Sequence, residues 1–211
     1  MWENKEQLEK FWKNYKEFQG ENVADEVLRL SKKYIHGKVL DVGAGTGALI
    51  KKIPNAIGID LVERPGIKKA SITDLPFDNS SFDTVFAMEV LEHLDDKDLR
   101  KGLDEIKRVL KKEGYFIVTV PNDENLEDRM VNCPHCGKRF HRVQHMRSFN
   151  KITIKQTLED YGFKIIKIKQ EPYDFNKKIG SWIIRYKNIR LLKPLLNLVK
   201  KGNLFVIARK V

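Results

Sequence analysis

At 211 residues with 41% hydrophobic side chains, the chain is long enough for one domain with a sizeable core and too apolar to be disordered throughout. No run approaches the ~18 apolar residues of a membrane span, and the opening Met1-Trp2-Glu3-Asn4-Lys5 lacks a signal-peptide pattern, so a cytoplasmic protein is expected. The net charge of +11 is concentrated at one end: residues 164–211 carry thirteen Lys and Arg against Glu171 and Asp174. Such an end suits an anionic partner (nucleic acid, lipid headgroup or phosphorylated substrate) or is simply a solvated surface.

In chain order, Leu8, Phe11, Trp12, Tyr15 and Phe18 recur at helical spacing, Gly20 breaks the pattern, and Val23, Val27, Leu28 and Leu30 resume it. Residues 1–36 therefore read as an N-terminal helical cap, its aromatic stripe packing the core or covering a ligand. Residues 38–42 read as a buried strand that runs into a turn with Gly43, Gly45 and Gly47 at alternate positions, then a helix to Lys51. Further short strands are expected at 56–60, 66–70 (weaker), 82–88 and 114–120, the last closed by Pro121. Between the last two, residues 97–111 form an amphipathic helix with Leu99, Leu103, Ile106, Val109 and Leu110 inward. Residues 121–149 are polar, irregular and contain both cysteines; 151–161 read as a helix ended by Gly162, and 163–169 and 204–209 as strands. Before the last strand, 179–200 reads as a cationic amphipathic helix with Trp182, interrupted by Pro194, which suits a membrane surface or a sheet edge. Short buried strands alternating with helices argue for a parallel, doubly wound sheet.

The glycine turn is the first chemical signal. Glycine permits so tight a turn, and N–H groups at a following helix start point at what the turn holds. The pattern alone also fits nicotinamide and flavin enzymes. Asp60 ends the next strand, where a carboxylate can accept both hydroxyls of a ribose. Asp74 and Leu75 follow the third strand, where an acid and a backbone N–H can bracket an adenine edge. Asp41, just before the turn, repels a pyrophosphate but suits the ammonium and sulfonium of S-adenosylmethionine.

Residues 40–47, Gly58-Ile59-Asp60, residues 73–83 and Met88-Glu89-Val90-Leu91-Glu92-His93-Leu94 resemble, in order, the class I S-adenosylmethionine-dependent methyltransferases, with the methyltransferase type 11 family nearest. The resemblance covers residues 38–169. It implies a Rossmann-like, doubly wound α/β fold with a seven-stranded, mostly parallel sheet, last strand antiparallel, and helices on both faces. It also implies one methyltransferase domain over 1–211, with insertions at 122–149 and 171–202. By the same resemblance Asp41, Gly43, Ala44, Gly45 and Gly47 line the methionine moiety, Asp60 with Leu61 the ribose, and Asp74 with Leu75 the adenine. Met88 and Glu89 close the methionine side.

Two metal patterns compete. Glu89, Glu92 and His93 share a helical face at three- and four-residue spacing, a set for magnesium or manganese. It is similar to the metal site of small-RNA 2′-O-methyltransferases and certain quinone O-methyltransferases, where a histidine follows the fifth strand; His145 is the candidate here. His93 is also the candidate general base, because an unperturbed imidazole titrates near neutral pH. Cys133-Pro134-His135-Cys136-Gly137 resembles a zinc knuckle, and His141 and His145 complete a C-x2-C-x4-H-x3-H spacing. His145 cannot serve both sites, and a reduced cysteine pair without an ion is the bland alternative. The expected reaction is O-methylation of a small or lipid-like acceptor. RNA or nucleotide methylation is the first alternative, and a non-catalytic cofactor- or zinc-binding regulatory module the second.

Overall fold

The structure, a computed structural model, describes residues 5–14, 20–134, 136–171 and 202–211. Tyr15, Phe18, His135 and the amphipathic stretch 179–200 lie outside them. Two helices, α1 (Lys5–Asn14) and α2 (Gly20–Ser31), precede β1 (Val39–Val42), β2 (Ile57–Asp60), β3 (Ile67–Lys69) and β4 (Phe82–Met88). Then come α3 (Asp96–Val109), β5 (Leu110–Pro121), the short strands β6 (Met130–Asn132) and β7 (Arg139–His141), α4 (Lys151–Asp160), β8 (Phe163–Glu171) and β9 (Asn203–Lys210).

Seven strands form one sheet in the order β3-β2-β1-β4-β5-β9-β8. Strands β1 to β5 pair in parallel, and β9 runs antiparallel to both β5 and β8. The doubly wound, mostly parallel sheet with a reversed last strand is therefore present. Strand β1 is buried along its whole length because it sits inside the sheet with both faces covered. Alternation divides β9 in the same way: Leu204, Val206 and Ala208 join one core, Phe205 and Ile207 the other. The first core also takes Leu99, Leu103 and Ile106 of α3 and Ile154 and Leu158 of α4; the second takes Val23, Ala24 and Val27 of α2.

Local chemistry sets the helix ends. The Asp95 carboxylate accepts from the Asp98 N–H, acids fill the first turn of α3 and bases its last, as the helix dipole favours. Asn150 and Thr153 form a capping box on α4. The expected helix after the glycine turn is absent. Gly43, Gly45 and Gly47 all have positive φ (73°, 54° and 76°), so the chain advances by turns and a single 3-10 turn, Ile50–Lys52. Strand β5 begins at Leu110, four residues before its expected start, because it continues directly from α3 and pairs there with Phe82. The cysteine-bearing stretch is an antiparallel hairpin, β6 against β7. Among the described residues no helix is long and apolar enough to cross a membrane.

Candidate active site

Strand order reverses between β1 and β4, and open α/β sheets place ligands outside the carboxyl ends of the strands at such a point. A cavity of about 950 Å³ lies there. Its walls come from the ends of the five parallel strands: Gly43 after β1, Asp60, Ser71, Glu89 and Asn122 after the next four. Trp12 of α1 covers it, and Met130 and Val131 of the hairpin close the far side.

The amide protons of the three glycines and Ala44 are spent inside the protein. Gly43 and Ala44 both donate to the Ile59 carbonyl at 2.9 Å, Gly47 donates to Ala44 at 2.8 Å, and Gly45 donates to Asp60 at 2.9 Å. A phosphate cradle needs such N–H groups free. Asp41 lies beneath the turn, fully buried, with no hydrogen-bond partner on either oxygen. Burial, with the charge of Asp60 added, pushes its pKa up to about 8. A buried, unpartnered carboxylate under the floor fits a cationic ligand such as the amino-acid end of S-adenosylmethionine. Asp41 and Gly47 are not themselves cavity walls; Val42, Gly43, Ala44, Gly45 and Thr46 are. Gly47 serves packing, since a Cβ there would stand 3.3 Å from Ile67. At Gly43 a Cβ would fall 2.5 Å from Val90, so the turn and the residues after β4 touch directly.

Asp60 and Leu61 line the cavity. The Asp60 carboxylate is held by the Gly45 and Val62 N–H groups, each at 2.9 Å, and by Arg64 at 3.4 Å. Arg64 also donates to the carbonyls of Val62 and Trp12 at 3.3 and 3.2 Å, tying α1 to the end of β2. Nothing in the motif spacing singles Arg64 out. Asp74 is exposed and outside the cavity walls, and the Leu75 N–H is taken by Glu105 at 2.8 Å. A turn bridging Ser71 and Asp74 carries the latter away, so Ala70, Ser71, Ile72 and Thr73 occupy the wall instead.

After β4 the expected helical face does not form. Glu89 has φ 55°, its N–H donates to Thr119, and a 3-10 turn, Leu91–His93, follows. Met88, Glu89 and His93 line the cavity. Burial raises the Glu89 carboxyl above its ordinary value, while Glu92 is raised further by burial and by Glu89. Burial, with the His145 charge, pushes His93 down to about 3, so its imidazole is neutral rather than titrating near pH 7. The polar stretch after β5 folds back onto this turn. Met146 donates to the Glu92 carbonyl at 2.7 Å, and Gln144 presents its carbonyl to His93 Nδ1 at 3.2 Å.

The metal candidates regroup. Ligand atoms of Glu92, His93 and His145 lie within 4.8 Å of one another, as do those of Glu124, His141 and His145. Glu89 belongs to neither group. Cys133 and Cys136 belong to neither group and sit between β6 and β7, apart from both histidines of the expected knuckle. Glu124, three residues past the end of β5, had no sequence signal beyond its place near Asn122.

A profile of a methyltransferase domain matches residues 15–168. An uncharacterised protein of Methanocaldococcus jannaschii is 34% identical over 194 residues, 84% of this chain and 79% of its own. A second from the same organism is 35% identical over 149 residues, and there the match spans 66% of this chain and 57% of the relative's length. Among solved structures, a methyltransferase dependent on S-adenosylmethionine from Archaeoglobus fulgidus has a similar fold, with TM-score 0.62, 21% identity and 97% and 98% of the two chains covered. A switch-point cavity floored by an orphaned carboxylate and a profile spanning most of the sheet lead to one conclusion: the chain belongs to the methyltransferase-domain family and is an S-adenosylmethionine-dependent methyltransferase.

Proposed function

We propose that the chain transfers the methyl group of S-adenosylmethionine to a hydroxyl of a small or lipid-like molecule. The observation that carries this reading is the far end of the cavity. It is roofed by the β6–β7 hairpin and α1, with apolar Trp12, Met130, Val131 and Val143 on its walls. Its lining arginines, Arg129 and Arg142, stand among Glu124, Asp128 and Asp98, while Lys164, Lys167 and Lys169 of β8 are not in the lining. A polyanion needs a uniformly basic track, and a largely apolar pocket of mixed charge suits a small molecule.

When bound, the donor supplies an electrophilic sulfonium methyl. The chain's own residues align the two partners and exclude water. Asp41 compensates positive charge from beneath the turn, Asp60 and Ser71–Thr73 orient the nucleoside, and Trp12 covers it. A hydroxyl acceptor must release its proton. Glu89 is the group placed to take it: it lines the cavity beside Met88, and one of its oxygens has no hydrogen-bond partner. His93, held neutral by burial, is too weak a base for that role.

The test is transfer of labelled methyl from S-adenosylmethionine into separated fractions of small polar compounds, lipids and quinols, and RNA. The expected product is a methyl ether in a small-molecule or lipid fraction, with little dependence on salt. Label entering RNA, with a rate falling steeply as salt rises, overturns the acceptor class while leaving the methyltransferase assignment intact.

A further inference from the structure

We propose that Asn203 selects a hydroxyl acceptor over an amine, its amide N–H holding the acceptor oxygen opposite Glu89. The inference rests on the reading of Glu89 as the group that takes the proton, and it names the side chain that works against it. Glu89 and Asn203 are far apart in the sequence, and the sheet brings them together. Strands β4, β5 and β9 are neighbours, Met88 pairs with Thr119, and Pro121 pairs with Asn203. Paired residues, and residues two apart on a strand, turn their side chains to one face, so Met88, Thr119, Pro121 and Asn203 share a face. The Glu89 N–H donates to the Thr119 carbonyl at 3.0 Å and the Asn122 N–H to the Gly202 carbonyl at 3.1 Å, which fixes the end of β4 and the start of β9 against β5. Glu89 and Asn203 both line the cavity, while Thr119 is fully buried and is not one of its walls.

Asn203 is 6% exposed, and among the described residues Asn203 Nδ2, Thr119 Oγ1 and Glu89 Oε1 each lack a hydrogen-bond partner. Thr119 and Asn203 nevertheless reach the Glu89 carboxylate closely enough to offset part of the upward push of burial. Only a donor favours the ionised form in that way, so Asn203 turns its NH2 toward the carboxylate. Buried polar atoms left unpaired cost free energy until a ligand supplies partners. The group that satisfies Glu89 Oε1 and Asn203 Nδ2 together must donate to the first and accept from the second.

A hydroxyl does both. Its hydrogen goes to Glu89, and its oxygen has two lone pairs: one accepts from Asn203 and the other faces the methyl group. A neutral amine has a single lone pair. If Asn203 holds that pair it cannot attack, and if it attacks, Asn203 stays buried and unpaired, which a hydrogen-bonding site penalises heavily. In the transfer the oxygen lone pair forms the O–C bond, the C–S bonding pair passes to sulfur, and the hydroxyl proton passes to Glu89. The products are a methyl ether and S-adenosylhomocysteine. Asn203 thus fixes which lone pair points at the methyl group, and Thr119 positions the carboxylate from behind.

The experiment supplies S-adenosylmethionine labelled with ¹³C at the methyl group, with small-molecule and lipid fractions of a cell extract as acceptors, and distinguishes O–CH3 from N–CH3 products by their carbon shifts. Wild type should form O–CH3 products. Asn203→Leu and Asn203→Ala should each lower that rate about 100-fold, because the oxygen is no longer oriented, and the residual product should be richer in N–CH3. Calorimetry with S-adenosylhomocysteine should give wild-type affinity for both variants, which shows that they are folded. Thr119→Val should lower the rate about tenfold and Thr119→Ser should keep it, the order that a hydrogen-bonding role requires and a packing role reverses. Wild type forming O–CH3 products while a folded Asn203 variant keeps most of the rate overturns this inference and leaves the reading of Glu89 standing. Wild type forming only N–CH3 products, or none, overturns the hydroxyl acceptor and this inference together.

Discussion

Replacing Asp41 by Asn keeps the side chain's shape and removes its charge. The wild-type carboxyl titrates at about 8 in the ligand-free protein, so at pH 7 it is about nine-tenths protonated. Gly43, two residues on, lines the cavity, which puts a cationic group bound there roughly 6 Å away. At an effective dielectric of about 20, that attraction is about 3 kcal/mol, or roughly two pKa units, and lowers the carboxyl to about 6 in the complex. Binding S-adenosylmethionine at pH 7 should then release about 0.8 proton, and affinity should tighten about 25-fold from pH 6 to pH 8. Calorimetry in buffers of different ionisation enthalpy reads the proton count directly, and Asp41→Asn, which also corrects for the ligand's own titration, should remove that share. The stability sign is opposite. With the folded pKa raised above the ordinary 3.8, the unliganded protein loses stability as pH climbs from about 4 to about 8. At pH 7 that loss is at most about 4 kcal/mol, against about 1–3 kcal/mol for burying an unpaired amide. Unliganded Asp41→Asn should therefore unfold at higher denaturant than wild type at pH 7, and lose the advantage at pH 4. Equal proton release by wild type and variant refutes the reasoning.

Three other outcomes follow from the packing. Gly43→Ala sets a Cβ 2.5 Å from Val90 at φ 73°, and should cost about 1–3 kcal/mol in chemical denaturation and weaken cofactor binding. Arg64→Ala cuts the link from Asp60 to the Trp12 carbonyl, and should speed proteolytic nicking of α1 and weaken S-adenosylmethionine about tenfold. Leu103→Ala, fully buried between α3 and the sheet, should cost about 2–5 kcal/mol in thermal or denaturant unfolding, with cofactor affinity unchanged in the folded protein.

What the sequence by itself determined is local and periodic. Short apolar runs marked β4 and β5, the inward positions of α3 were read from a 3.6-residue period, and the alternate glycines marked the turn that abuts the cavity. Asp60 was legible because it ends a buried strand. Tertiary structure decided whatever depends on a distant partner. Asp74 lies outside the cavity walls because its turn folds back on Ser71, and its neighbour's N–H goes to Glu105, thirty residues on. The expected helical face at Glu89 and Glu92 did not form because Glu89 takes a left-handed backbone angle and a 3-10 turn follows. His93 lost its near-neutral titration to burial. The imidazoles of His93 and His145 lie on separate stretches, and their hydrogen bonds run to Gln144 and Glu124. Spacing along the chain fixes a direction for a side chain only while the backbone is regular; beyond that, which groups meet is set by how the loops pack on the strand ends.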